Sequence, residues 1–60
     1  MTDKEKLVVL LDEIAEYFRE CRENASPGSK ARAHFRELQD AAAEASRLLG
    51  YQAWREKNEN

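Results

Sequence analysis

Ala31-Arg32-Ala33-His34-Phe35-Arg36-Glu37-Leu38-Gln39-Asp40-Ala41-Ala42-Ala43-Glu44-Ala45-Ser46-Arg47-Leu48-Leu49 decides the fold. Within it Ala31, Phe35, Leu38, Ala42, Ala45 and Leu49 recur at alternating steps of four and three, the spacing of one helical face. Half of these positions are alanine, so a neighbouring backbone can approach closely, yet the seam brings little apolar area of its own. The larger side chains it needs lie upstream. Leu7, Leu11, Ile14, Phe18 and Cys21 form a second seam, flanked by Val8 and Ala15 on one side and by Leu10 and Tyr17 on the other. Two such seams predict an all-α protein, an antiparallel helical hairpin that ends in a short C-terminal turn or helix.

The punctuation of the chain sets the expected boundaries. Asn24-Ala25-Ser26-Pro27-Gly28-Ser29 is the one clear break, because Pro27 cannot continue a helix interior but suits a first helical position. Ser26 is the expected N-cap of the second helix, with Ser29 as the alternative and Gly28 in the turn. A connection this short makes the helices antiparallel neighbours. Thr2-Asp3-Lys4-Glu5 reads as a capping box at the start of the first helix. Gly50 fits a C′ stop after Leu48-Leu49, so Tyr51 and Trp54 are expected to fold back before a frayed polar end. The expected organisation is a single domain over 1–60, with a helix over 2–24, a turn over 25–29, a helix over 30–49 and a tail over 51–60.

The apolar face of the first helix is too wide for one alanine-rich neighbour to cover. A 60-residue monomer also buries only about 60% of its unfolded surface. Both points predict a homo-oligomer, minimally a dimeric four-helix bundle, whose interface draws on Leu7, Leu10, Leu11, Ile14 and Phe18 of the first helix. The second helix would add Phe35, Leu38, Ala42, Ala45 and Leu49.

Composition narrows the function. Cys21 is the lone cysteine, which excludes an intrachain disulfide and fits a cytoplasmic location. Met1–Lys6 is charged and the apolar run after it stops at Asp12, so neither a signal peptide nor a membrane span is expected. The formal net charge of -2 gives no global footprint for nucleic acid. His34 is the single histidine, with no nearby Cys and no second His, which makes a poor metal site. No catalytic residue, metal or cofactor is expected, and an enzyme is not.

The most suggestive cluster is basic. Arg19, Arg22, Lys30, Arg32 and Arg36 all come from the turn end of the hairpin. Arg22 and Arg32 each flank their seam and so approach the neighbouring helix, where like charges repel unless an acid or a bound anion lies between them. Glu20 and Glu23 are the candidate neutralising acids. The anion reading assigns a phosphate-bearing ligand to Arg22, Lys30, Arg32 and Arg36, with His34 or Tyr17 bordering a base. Arg47, Tyr51, Trp54 and Arg55 make a second, aromatic–basic group that suits either a nucleobase or a helix-packing lid.

Two resemblances follow. The layout of two antiparallel helices with a small-residue core resembles the Rop-type plasmid regulators across nearly the whole chain, through architecture and without a motif. That resemblance implies a four-helix bundle and an RNA or protein partner. Second, Ser26-Pro27-Gly28-Ser29-Lys30 leading into Phe35-Arg36-Glu37-Leu38-Gln39-Asp40-Ala41 and Ala45 looks like the hairpin of small phage sponge proteins that sequester cyclic nucleotide alarm signals. Glu44 stands where that family often carries tryptophan. This resemblance implies a helical, oligomeric, non-enzymatic anti-defence protein with a cyclic nucleotide as its ligand.

Overall fold

The computed structural model describes residues 1–59; Asn60, the last residue of the expected tail, lies outside them. Helix α1 spans Asp3–Asn24 and helix α2 spans Lys30–Asn58, packed antiparallel in a hairpin 49 Å long. Thr2 caps α1 as its sequence predicts: its Oγ1 accepts from the Glu5 N–H at 3.2 Å and donates to the Glu5 carboxylate. These bonds hold the Glu5 carboxyl below its ordinary value. At the turn, Ser29 rather than Ser26 is the cap of α2, accepting from the Arg32 N–H at 3.1 Å. Gly28 takes φ +76°, a left-handed conformation that glycine adopts without a Cβ penalty. With Gly28 turning the chain there, the helix starts two residues after it.

The stop expected at Gly50 is absent. The helix runs through Gly50 to Asn58, and among the described residues only Gly28 has positive φ. Register supplies the reason. Val8 lies opposite Gly50, so a second helix ending at Leu49 would leave the part of α1 before Val8 uncovered. The continuation places Gly50 against Val8 and Lys4 in an ion pair with Glu56. Tyr51 and Trp54 therefore do not fold back; they stack on each other at 6.1 Å and stay 58% and 59% exposed.

The seams are also rotated from the expected ones. On α1 the inward row is Val8, Leu11, Ala15, Phe18 and Arg22, continued by Ala25 just after the helix, all at least half-buried. On α2 it is Phe35, Gln39, Ala42, Ser46, Leu49 and Ala53, with Ala42 and Ser46 the most buried. Ala31 and Ala45 are exposed and lie off this row. Alanine at position 42 lets the backbones approach, and Phe18 stacks on Phe35 at 6.4 Å near the turn. Two polar residues share the interior. Ser46 Oγ donates to Asp12 Oδ1 at 2.5 Å and also lies 3.4 Å from the Val8 carbonyl. The Oε1 of Gln39 is buried with no hydrogen-bond partner.

The expected interface residues thus divide. Leu11, Phe18, Phe35, Leu38, Ala42 and Leu49 lie on or beside the seam between the two helices, whereas Leu7, Leu10, Ile14 and Ala45 are exposed. No helix among the described residues is long and apolar enough to cross a membrane.

Candidate anion site

Three arginines converge at the turn end. Arg22 sits in the last turn of α1, where a cation is favoured by the carbonyl end of the helix. Arg32 and Arg36 rise from the first two turns of α2. Together with Gly28, Ser29, Ala33, Glu37 and Asp40 they line a groove of about 500 Å³. Arg22 and Arg32 are half-buried and Arg36 is exposed. The Arg32 guanidinium reaches back over the turn, with Nη1 3.5 Å from the Ala25 carbonyl.

Glu37 and Asp40 line the groove with the arginines, but among the described residues no ion pair includes any of the three arginines. The ion pairs among the described residues join Lys4 to Glu56, Glu16 to Arg19, Glu44 to Arg47, and Arg55 to Glu59. None includes Arg22, Lys30, Arg32 or Arg36. Glu20 and Glu23, the acids on α1 nearest in sequence, do not reach them, and the i,i+4 partners Arg36 and Asp40 do not pair either. The backbone adds to the positive potential. The first turn of α2 contains no acidic residue but does contain Lys30 and Arg32. A helix N-terminus carries a partial positive charge that favours anions and disfavours cations. A cation-rich first turn is therefore unfavourable on its own and becomes favourable with an anion present.

The structure separates the six residues singled out from sequence. Arg22, Arg32 and Arg36 line the groove, whereas Lys30, His34 and Tyr17 do not. At 3.6 residues per turn those three fall on the opposite flank of the hairpin. His34 packs its ring 6.4 Å from Phe35, and Tyr17 lies 5.7 Å from Phe18. Hydrogen bonding with Cys21 raises the pKa of the Tyr17 hydroxyl above its ordinary value. Gly28, Ser29, Ala33, Glu37 and Asp40 also line the groove, beyond the residues expected from sequence. The signal for the acids was their spacing, since Ala33, Glu37 and Asp40 share one face with Arg36.

A second concavity of about 310 Å³ lies at the open end between Met1, Glu5, Val8, Val9, Trp54 and Lys57. Its walls are mainly apolar, and Arg55 stands not in it but over the Tyr51 ring at 5.9 Å. Among the described residues no group of three or more His, Cys, Asp or Glu side chains is placed to hold a metal ion. Compared with protein-family models, curated proteins and solved structures, the chain matches none, so the geometry of the groove carries the functional reading alone.

Proposed function

We propose that this chain is a non-enzymatic, homo-oligomeric binding protein that holds a phosphate-bearing anion in the groove of Arg22, Arg32 and Arg36. The supporting observation is three arginines lining one groove, with no carboxylate among the described residues in an ion pair with any of them. Guanidinium groups bind phosphate oxygens through paired, charge-assisted hydrogen bonds. The N-terminus of α2 points the same way. A groove of about 500 Å³ is within the ordinary size range of small-molecule sites.

A nucleotide is the ligand class this reading favours, and the resemblance to phage sponge proteins makes cyclic nucleotides the first probes. Sequestration requires binding and no chemistry, which matches a site made of arginines, a helix terminus and two carboxylates. The alternative, an RNA-binding bundle of the Rop type, is opposed by the outer side of α1. Asp12, Glu13, Glu16, Glu20 and Glu23 make that surface acidic, and RNA phosphates would be repelled from it.

The test is a thermal-shift panel of cyclic and linear nucleotides on the full chain at two salt concentrations. A nucleotide should raise Tm, less so at high salt. Arg32→Ala should weaken binding by about tenfold or more, since hydrogen bonds to charged groups are worth ~1.5–3 kcal/mol. No shift with any nucleotide, together with unchanged stability of Arg32→Ala, would refute the proposal and favour a protein-binding hairpin.

A further inference from the structure

The two flanks of the hairpin differ in kind. The flank that carries the arginine groove also carries Asp12, Glu16, Arg19, Asp40 and Arg47. The other flank carries such charges only at its ends, at Asp3, Lys30 and Glu56. At 3.6 residues per turn, α1 presents Leu7, Leu10, Ile14 and Tyr17 there, and α2 presents Leu38, Ala41, Ala45 and Leu48. No Asp, Glu, Lys or Arg falls on that flank between Asp3 and Asn24 of α1 or between Lys30 and Glu56 of α2. In a chain that is 37% charged, so long an uncharged surface is conspicuous. It is also open: Leu7, Leu10, Ile14, Tyr17 and Leu48 are 43–61% exposed. The remaining exposed apolar groups, Met1, Val9, Tyr51 and Trp54, sit at the open end, with Glu5, Arg55 and Lys57 among them, and form no comparable surface.

We infer that a second copy of this chain covers the uncharged flank, with α1 of each copy lying on α2 of the other. The inference rests on the oligomeric part of the function proposed above and deepens it by naming the surface. Area supports a second copy. A compact 7.0 kDa monomer exposes about 4,000 Å², whereas the hairpin exposes 4827 Å². The excess of about 800 Å² equals the area that one partner buries in a standard interface. Shape supports the seating. The α1 row is large, with Leu7, Leu10, Ile14 and Tyr17, while the middle of the α2 row is small, with Ala41 and Ala45. A two-fold interface must be complementary to itself, and a large row beside a small one meets that need when the rows cross over. In an antiparallel hairpin this crossing puts both turns at the same end. The arginine grooves then face outward on opposite sides of the bundle, so each chain keeps its own anion site and neither site is built across the interface.

Ala43 and Ala45 provide a matched pair for the test. Both are exposed helical alanines, one on the charged flank and one on the uncharged flank. Light scattering and sedimentation of the full chain at micromolar concentration should give a dimer. Ala45→Glu should raise the dimer dissociation constant roughly a hundredfold or more, because it buries a charge without a partner. Ala43→Glu should leave it within about threefold, as surface substitutions do, and circular dichroism should find both variants helical. A monomeric wild type overturns both this inference and the oligomeric reading. A dimer that Ala45→Glu leaves intact, or that Ala43→Glu weakens equally, overturns the assigned surface alone. Nitroxide labels on Ser26→Cys in a Cys21→Ser background then report the seating. A separation under about 30 Å is expected for turns at one end of a bundle with 8–10 Å helix spacing. A separation near the 49 Å length of the hairpin overturns the pairing of α1 with α2 of the other copy.

Discussion

Replacing Gly50 with alanine should stabilise the hairpin by about 1 kcal/mol, the cost of glycine relative to alanine in a helix interior. The structure sets the sign. Gly50 lies inside α2 and has no positive φ, so alanine fits its backbone. The added Cβ would meet Val8 Cγ2 at 3.8 Å, an ordinary contact that fills space without overlap. For a domain of this size the gain corresponds to a rise in Tm of roughly 4–8 °C. Thermal melts followed by circular dichroism, at a fixed chain concentration because association shifts Tm, would measure it. Gly28→Ala is the counterpart. No atom lies within 4 Å of its added Cβ, yet φ is +76°, so Tm should fall by a comparable amount through backbone strain alone. A fall in Tm for Gly50→Ala would refute the reasoning. It would mean that Gly50 has a left-handed backbone and ends the helix, as a C′ glycine does.

Gln39→Leu should stabilise the protein by about 1 kcal/mol or more in urea denaturation, because it removes a buried acceptor that has no partner; a loss would mean that a bound water or a neighbour satisfies it. Ala42→Leu should cost roughly 1–3 kcal/mol by overpacking, since Ala42 is 8% exposed between the helices; a gain would mean that the seam is loose. Thr2→Ala should cost about 1 kcal/mol at neutral pH through the lost cap. The Thr2 bonds lower the Glu5 pKa from 4.5, so their contribution is present above that value and fades as pH falls through the lowered one. The gap between wild type and Thr2→Ala should therefore narrow in acid melts, and a gap independent of pH would count against the carboxylate's part in the cap.

The hairpin itself was legible because periodicity, Pro27-Gly28 and the Thr2 box all agree on it. The rotation of the seams was not. Apolar residues cover two faces of α1, and the pattern Leu7, Leu11, Ile14, Phe18 mixes them. On α2 the inward row includes Gln39 and Ser46, which a search for apolar residues passes over in favour of Leu38 and Ala45. Ser46 is accommodated because Asp12 accepts its hydroxyl hydrogen, a contact between residues far apart in sequence. Local preference alone favours a stop at Gly50. Covering the part of α1 before Val8 outweighs that preference. The basic cluster was legible as a group, but its geometry was not. Arg22, Arg32 and Arg36 share a groove, while Lys30, His34 and Tyr17 lie across the hairpin, and this division depends on the same rotation of the seams.

The claim that the arginine groove binds a phosphate-bearing anion is tested most directly by amide chemical-shift mapping of the full chain as a cyclic nucleotide is titrated in. Binding in the groove should move the resonances of Arg22, Gly28, Ser29, Arg32, Ala33 and Arg36. Val8, Gly50 and Trp54 at the open end should stay in place. Shifts centred on Val8, Gly50 and Trp54, or no shifts at saturating nucleotide, would contradict it.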